Sequence, residues 1–335
     1  MCVNADLSIC QNMKILFVTS TRIGDAVLST CLLSYLVDKY PLASFTVACG
    51  PLPAPLFEST PGVERVVPIV KKRFSLHWLS LWGEVVGTSW DLVVDLRASA
   101  LAWMLRTRSR KVLRSSEERN NIHRVEELSM LFGLKTAVPP KLWLSKASLD
   151  KAASMMPKGT PVIGFGVTAN WLPKIWPAEN FISLAERLTS PDGFYPSARI
   201  AVFGAEQERD IANPVLEGVV EKQTIDLVGQ NDLPTVAACL SSCDLFIGND
   251  SGLMHMAAAV GIPTVGLFGP SPSTRYGPWG DHCLSVESSQ SYEDLVCTPN
   301  FDHRASRNLM GGLSIVAVEQ AVKDLRAQIN CDPNG

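Results

Sequence analysis

The chain has 335 residues, 46% of them hydrophobic and 19% charged, a length typical of two domains that each bury their own core. The formal net charge of −3 excludes the globally basic surface of many nucleic-acid-binding proteins. Nine cysteines are scattered without the spacing of a metal site or a disulfide framework, so we expect free thiols. Because the sequence contains neither a signal peptide nor a membrane span, we expect a cytoplasmic protein.

The first half of the chain alternates short apolar strands with helical segments. Strands are predicted at Lys14–Val18, Phe45–Ala48, Val66–Ile69 and Leu92–Leu96, and the first helix at Ala26–Lys39. Continuous apolar strands are typical of a parallel sheet covered on both faces. Their alternation with helices predicts right-handed βαβ units.

A second alternating series follows a segment in which prolines and glycines interrupt the pattern. We interpret that segment, Pro139–Gly159, as the linker between two domains. The later strands are predicted at Val162–Phe165, Arg199–Phe203, Asp244–Ile247 and Thr264–Phe268, with a last helix from about Ser314 to Gln328. Two doubly wound domains in tandem form a cleft between the carboxyl edges of their sheets, where ligands of such sheets bind.

The turn after the third strand of the second series is the strongest candidate site. A buried strand ends at Gly248, and a helix is expected from about Ser251 with Asp250 or Asn249 as N-cap. The free N–H groups of a helix N-terminus attract phosphate. An acidic side chain repels phosphate, so Asp250 is expected to contact a hydroxyl or to cap the helix. The turn therefore either binds a ligand or only caps a helix. His255, one turn into that helix, is either a residue of the cleft or a histidine of the core.

Three further loops follow predicted strands. In the segment 164–177, Lys174 offers a mobile ammonium for phosphate, unless the loop is an ordinary surface loop. In the segment 19–25, Gly24 permits close backbone approach, and Asp25 is either a proton acceptor for a hydroxyl or a helix N-cap. Glu206 lies where α/β domains hold ribose hydroxyls, although a surface glutamate is the alternative.

Two segments of the first half are rich in basic or aromatic residues. The basic cluster between positions 106 and 124 either meets acidic groups of an acceptor or forms a solvated face. It contains Arg106, Arg108, Arg110, Lys111, Arg114, Arg119 and Arg124, with Glu117 and Glu118. Arg97, just past the fourth strand, is better placed for the cleft. An apolar face that begins in the stretch 71–82 suits an interfacial helix, but we expect it to pack on the sheet. This face comprises Phe74, Trp78, Leu81, Trp82 and Val85.

Four motifs in this order resemble glycosyltransferase family 9, the ADP-heptose:lipopolysaccharide heptosyltransferases. They are Arg22-Ile23-Gly24-Asp25, Lys174-Ile175-Trp176-Pro177, Gly204-Ala205-Glu206, and Asn249-Asp250-Ser251-Gly252 followed by His255. The resemblance covers about positions 14–280. It implies the GT-B fold, in which two Rossmann-like, doubly wound α/β domains face each other across a cleft. We assign residues 13–155 to an acceptor-binding domain, 160–313 to a nucleotide-sugar-binding domain, and 314–330 to a C-terminal helix that crosses back to the first domain.

The resemblance also implies an activity and the residues that carry it. The activity is an inverting, metal-independent transfer of a heptose from ADP-heptose to the lipopolysaccharide inner core. Asp25 would be the general base, and Lys174 would stabilise the departing diphosphate. The resemblance further implies Thr168 and Ala169 for the diphosphate, Glu206 for the ribose, and Asp250, Ser251, Gly252 and His255 for the sugar nucleotide. Gly24, Asn170 and Arg97 are candidate substrate-binding residues from their own chemistry and position.

Two alternative functions remain open beside this activity. A GT-B sugar-nucleotide epimerase and a non-catalytic nucleotide-sugar-binding protein remain open, whereas the missing glycine fingerprint disfavours an NAD-dependent oxidoreductase. We expect no cofactor and no metal, because the sequence offers neither a DxD pair nor a His/Glu cluster. The expected partners are the donor and a lipid-linked saccharide acceptor, with no nucleic acid. Peripheral contact with the inner face of the inner membrane is left open.

Overall fold

The computed structural model of the chain describes residues 12–114, 121–220, 223–297 and 308–331. It divides into two units between Trp143 and Leu144. The division lies inside the expected linker but before the expected boundary at 155–160. The reason is that the helix Lys146–Met155 packs against the helix Leu233–Leu240 of the second unit.

Within the described residues, the first unit is a parallel sheet of five strands in the order β3-β2-β1-β4-β5. The strands are β1 (Lys14–Val18), β2 (Ser44–Cys49), β3 (Val63–Pro68), β4 (Trp90–Asp95) and β5 (Thr107–Val112). The helices are α1 (Ile23–Lys39), α2 (His77–Val85), α3 (Leu101–Met104) and α4 (Arg124–Met130). β5 was interpreted from the sequence only as part of a basic cluster, because its mostly polar residues lack the apolar run of a central strand.

The second unit, over its described residues, is a parallel sheet of six strands in the order β11-β10-β9-β6-β7-β8. The strands are β6 (Val162–Gly166), β7 (Arg199–Gly204), β8 (Thr224–Val228), β9 (Leu245–Asn249), β10 (Thr264–Phe268) and β11 (Cys283–Glu287). The helices are α5 (Lys146–Met155), α6 (Ala178–Thr189), α7 (Arg209–Gly218), α8 (Leu233–Leu240), α9 (Gly252–Ala259), α10 (Ser273–Tyr276), α11 (Tyr292–Val296) and α12 (Ile315–Cys331).

The core of the second unit explains why its central strands are apolar throughout. Every residue of β6, β9 and β10 is buried, because helices cover both faces of the sheet. The C-terminal helix α12 packs against α6, β10 and β11, with Val318, Val322 and Leu325 spaced to line one face. These contacts lie in the second unit, and the expected crossing of α12 to the first domain stays a prediction.

The aromatic stretch of the first unit packs on the sheet only in part. Leu81 and Val85 of α2 are buried in the core, and Trp78 packs against it. The expectation is wrong for Phe74, because α2 begins only at His77. Phe74 has a φ of 52° and its side chain is 87% exposed.

Among the described helices, none is long and apolar enough to cross a bilayer.

Candidate functional site

The strand order of each sheet marks one place where a ligand fits. The chain builds the first sheet outward from β1 to β3 and then returns to place β4 on the other side of β1. It does the same in the second sheet, where β7 and β8 lie on one side of β6 and β9 on the other. At such a switch point the connections leave in opposite directions and open a crevice beyond the carboxyl ends of the two strands. The loops after β1, β4, β6 and β9 are therefore the candidate sites.

A buried asparagine joins the two loops at the second switch point. Asn249, at the end of β9, is fully buried, and its Oδ1 accepts a hydrogen bond of 3.0 Å from the backbone N–H of Trp176. The Trp176 indole is also fully buried and donates its N–H to the carbonyl of Leu313 at 2.9 Å. These bonds hold the loop after β6 against the end of β9 and thereby bring Lys174 beside Asp250.

Lys174 and Asp250 form a largely buried ion pair. The Lys174 Nζ lies 2.5 Å from the Asp250 Oδ2, and the two side chains are 19% and 8% exposed. The other carboxylate oxygen of Asp250 lies 4.0 Å from Nε2 of His255, which is also buried. Taking two charges out of water costs free energy that their attraction rarely repays, so such a pair is a poor stabiliser. Its place at the switch point favours a role in binding or chemistry.

The N-terminus of α9 opens into the same loop cluster. Ser251 is the N-cap, so the expectation of Asp250 or Asn249 in that position is wrong. Their side chains bond Lys174 and Trp176 instead, and in the described part of the chain no side chain caps α9. The Ser251 Oγ and the Asn249 Nδ2 are buried without a hydrogen-bond partner among the described residues. A helix end with unpaired donors beside a cation suits an anion.

Gly252, the first residue of α9, is half-buried at this helix end.

A glutamate that the sequence reasoning missed organises the loop after β6. Glu208 accepts hydrogen bonds from the Thr168 hydroxyl at 2.8 Å and from the Ala205 N–H at 2.9 Å. The hydroxyl proton of Thr168 is therefore directed to the Glu208 carboxylate. Ala169 is buried and Asn170 is exposed. The acidic pattern Glu206-Gln207-Glu208 was the available signal, but it did not indicate which carboxylate turns inward.

Glu206 begins the turn after β7 and packs closely against Gly229. Gly229 has a φ of +69°, and a Cβ added there would lie only 1.9 Å from the Glu206 Oε2. Gly229 also donates its backbone N–H to the carbonyl of Gly204 at 2.9 Å. The close approach therefore requires glycine at this position and holds Glu206 at the carboxyl edge of the sheet. Its contact with a ribose stays a prediction.

In the first unit, Asp25 is the third residue of α1 and half-buried. The N-cap is Arg22, so the alternative interpretation of Asp25 as an N-cap is wrong. The Ser20 hydroxyl lies 3.5 Å from the Asp25 Oδ2 and accepts the Arg22 N–H at 3.2 Å. Gly24, the second residue of α1, precedes the carboxylate. This placement leaves the Asp25 carboxylate outside the capping position, at the first switch point.

Asp95, which the sequence reasoning also missed, shapes the neighbouring loop at the end of β4. The residue is fully buried and pairs in register with Val18 of β1. Its carboxylate accepts the backbone N–H of Arg97 at 2.8 Å, and the N–H and hydroxyl of Ser99 at 2.9 and 2.5 Å. Burial raises the pKa of Asp95 despite these bonds. The bonds hold a tight turn in which Ala98 has a φ of 49°.

This turn presents Arg97 at the first switch point. The Arg97 guanidinium lies 5.9 Å from the ring centre of Trp78, within cation–π range. The loop after β1 and the loop after β4 leave from neighbouring strands. Asp25 at the start of α1 and Arg97 in the loop after β4 therefore flank the crevice of the first sheet.

Most of the basic cluster contacts its own unit. Arg108 pairs with Asp91 at 3.0 Å, Arg110 lies over the ring of Trp103 at 4.9 Å, and Arg124 pairs with Glu127 at 2.5 Å. Lys111 lies over the ring of Phe132, and Arg106 and Arg114 are exposed. Glu117, Glu118 and Arg119 lie outside the described residues. Arg108, Arg110 and Lys111 lie on the edge strand β5, whereas Arg124 lies on α4.

The chain is similar in sequence to the proteins of one known family. The model of glycosyltransferase family 9 (heptosyltransferase) matches residues 90–305. Lipooligosaccharide heptosyltransferase 2 of Haemophilus ducreyi is 27% identical over 305 residues, 79% of this chain and 86% of that protein. Lipopolysaccharide heptosyltransferase 2 of Salmonella typhimurium is 25% identical over 297 residues, 77% of this chain and 83% of that protein.

Two solved structures have a similar fold. The glycosyl transferase family 9 structure from Veillonella parvula has a TM-score of 0.77 at 22% identity, covering 96% of this chain and 98% of that one. The E. coli ADP-heptose lps heptosyltransferase II has a TM-score of 0.73 at 20% identity, covering 95% and 100%. The fold class expected from the sequence, the GT-B fold with two Rossmann-like units, is confirmed.

Proposed function

Because the chain belongs to glycosyltransferase family 9, we propose that this glycosyltransferase moves a heptose from ADP-heptose to the lipopolysaccharide inner core. The acceptor is lipid A–Kdo or a heptosylated form of it. The relatives that span most of the chain carry the name of this activity. The observation that carries the proposal is the Lys174–Asp250 ion pair beside the N-terminus of α9.

The second unit holds the sugar nucleotide. The Lys174 ammonium and the first N–H groups of α9 bind the diphosphate, because both attract negative charge without a metal ion. Ser251 and Asn249 supply buried donors that are unpaired in the described structure. Asp250 accepts hydrogen bonds from sugar hydroxyls while it holds Lys174 in place. Thr168, Ala169 and Asn170 line the phosphate loop, and Glu206 holds the ribose.

The transfer is a single displacement with inversion. Asp25 accepts the proton of the acceptor hydroxyl as its oxygen forms a bond to the anomeric carbon of the heptose. The bond between that carbon and the diphosphate oxygen breaks, and its electron pair leaves with ADP. Lys174 and the α9 N-terminus stabilise the negative charge that develops on the leaving group. His255, near Asp250, orients that carboxylate.

The first unit holds the acceptor. Inner-core acceptors carry carboxylates and phosphates, and an arginine forms strong paired hydrogen bonds with such groups. Arg97 meets one of these anions, and the Asp95 turn sets its direction. Gly24 lets the acceptor approach the backbone beside Asp25.

Binding measurements separate this proposal from its alternatives. We expect calorimetry to detect ADP-heptose and ADP, and to detect neither NAD nor UDP-N-acetylglucosamine at comparable concentrations. Lys174→Met should weaken ADP binding about tenfold or more, as the loss of a charged hydrogen bond does. Lys323→Met, at an exposed position of α12, is the matched control. If none of the sugar nucleotides binds, or if a UDP-sugar binds best, the proposal fails.

A further inference from the structure

A short segment before α12 contacts the loop that follows β6. We call residues 308–313 the 308–313 segment. Its Met310 and Leu313 side chains are buried in the core of the second unit. The carbonyl of Gly312 accepts the N–H of Ser289, just after β11, at 3.1 Å. The segment is therefore fixed to the body of the second unit.

The segment holds both backbone carbonyls that flank Lys174. On one side, the Leu309 N–H donates to the carbonyl of Pro173 at 3.2 Å. On the other side, the Asn308 Nδ2 donates to the carbonyl of Ile175 at 2.7 Å. A loop has few backbone partners of its own, so its carbonyls need donors from elsewhere. Here two consecutive residues supply those donors on either side of the lysine.

The Asn308 side chain is held at both of its polar atoms. Its Oδ1 accepts the N–H of Met310 at 2.8 Å, and this bond turns the Nδ2 group toward Ile175. An asparagine suits this position because one short side chain offers an acceptor and a donor. Alanine would offer neither.

The next residue, Trp176, is held from two directions. Asn249 accepts its backbone N–H, and the Leu313 carbonyl in the 308–313 segment accepts its indole N–H. The backbone on both sides of Lys174 is therefore fixed, whereas the Lys174 side chain extends to Asp250. The point from which the ammonium reaches out is set by these bonds.

A close approach at the end of β10 restricts movement of the segment. A Cβ added to Gly269 would lie 2.6 Å from the Met310 Sδ and 3.1 Å from the carbonyl oxygen of Leu309. The glycine lets the segment pack directly against the backbone at the carboxyl edge of the sheet. The partner of the Lys174 loop is thus itself tightly packed.

We propose that Asn308 is a positioning residue for Lys174. Asn308 acts through the carbonyl of Ile175 and not by contact with the donor. The inference rests on the proposed function, because it takes the Lys174 ammonium as the group that binds the diphosphate and stabilises it as it leaves. Such stabilisation depends on the exact place of the charge, so a small shift of the loop backbone lowers it.

ADP calorimetry and steady-state kinetics test the proposal. We expect Asn308→Ala to weaken ADP binding about threefold to fivefold, as the loss of one neutral hydrogen bond does. At saturating ADP-heptose, kcat should fall about tenfold, because a misplaced charge costs more in the transition state than in ADP binding. The KM for the acceptor should stay within about twofold of the wild-type value, because the acceptor is held by the first unit.

A double-mutant cycle separates positioning of Lys174 from a general structural effect. If Asn308 acts through Lys174, its loss should matter little once the ammonium is gone. In the Lys174→Met background we therefore expect Asn308→Ala to change kcat less than about twofold and ADP affinity less than about 1.5-fold. An independent structural effect would instead multiply with the effect of Lys174→Met.

The matched control is Asn330→Ala, at an exposed position of α12. It should bind ADP and turn over like the wild type. Both asparagine variants should unfold at the wild-type temperature, because both side chains are exposed.

The outcomes distinguish this proposal from the proposed function. If Lys174→Met loses ADP affinity but Asn308→Ala behaves like the control, the positioning role of Asn308 is wrong and the proposed function stands. The same holds if Asn308→Ala has its full effect in the Lys174→Met background. If Lys174→Met binds ADP like the wild type, the diphosphate role of Lys174 is wrong and the positioning role falls with it. The ADP affinities alone complete the cycle, so the test does not depend on heptose transfer.

Discussion

The Lys174 ammonium and the Asp250 carboxylate lie 2.5 Å apart, although 76 residues separate them in the chain. The fold brings them together because β6 and β9 are neighbours at the switch point of the second sheet. Each partner has a second proposed task, Lys174 with the diphosphate and Asp250 with the sugar. The pair therefore links recognition of the sugar to stabilisation of the leaving group.

Replacing Asp250 by asparagine should separate these two tasks. The change removes the charge that holds Lys174 and weakens the acceptor for sugar hydroxyls. We expect the KM for ADP-heptose to rise about tenfold, as one charged hydrogen bond is lost. ADP alone should bind at least as tightly as to the wild type, because Lys174 is released toward the diphosphate. Initial rates and ADP calorimetry measure the two effects.

The exposed Asp324→Asn on α12 is the control for Asp250→Asn. A parallel loss of ADP and ADP-heptose affinity would contradict the division of tasks between Asp250 and Lys174.

Replacing Lys174 should slow the chemical step more than it weakens binding. With Lys174→Met we expect kcat to fall by about 10²–10³, as on removal of one group that stabilises developing negative charge. Lys174→Arg should recover only part of this loss, because the planar guanidinium cannot place a point charge in the same position. Steady-state kinetics at saturating donor measure kcat, and an unchanged value in Lys174→Met would rule out the leaving-group role.

The buried Asp95 makes a prediction about the pH dependence of stability. Burial raises its pKa, so the folded protein keeps this proton to higher pH than the unfolded chain does. In the window above the ordinary aspartate pKa of about 4, the folded state binds more protons. The contribution of Asp95 to the free energy of unfolding therefore falls as the pH rises through this window.

Comparison with Asp95→Asn isolates that contribution, because asparagine does not titrate. Urea unfolding at several pH values gives the free energy of unfolding of both proteins. The value of the wild type minus that of the variant should decrease from pH 4 to pH 7. A difference that increases with pH would show that the pKa of Asp95 is lowered by its hydrogen bonds.

The sequence was sufficient to predict a strand where its local apolar pattern agrees with the burial of that strand in the fold. The apolar runs at Lys14–Val18 and Thr264–Phe268 predicted β1 and β10 with the observed bounds, because central parallel strands are buried on both faces. The polar edge strand β5 gave no such pattern. β3 begins three residues earlier than predicted, at Val63, because its first residues are largely exposed.

The candidate site was less predictable, because its contacts depend on tertiary structure. The sequence placed Lys174 and Asp250 in separate loops, and only the strand order makes them a pair. Asp95 lay inside the predicted strand Leu92–Leu96, and its role arises from a turn in which its carboxylate accepts three hydrogen bonds. Phe74 fitted a helical face by spacing, but the helix begins after it.

The most direct test of the account is the transfer of heptose itself. Purified protein is incubated with ADP-heptose and either deacylated lipid A–Kdo or its heptosylated form, and each acceptor is followed by mass spectrometry. The account predicts a gain of one heptose with the wild type and with the exposed control Asp38→Asn, and a rate at least about 10²-fold lower with Asp25→Asn. Transfer by Asp25→Asn at the wild-type rate, or no transfer by the wild type to this acceptor or its heptosylated form, would contradict it.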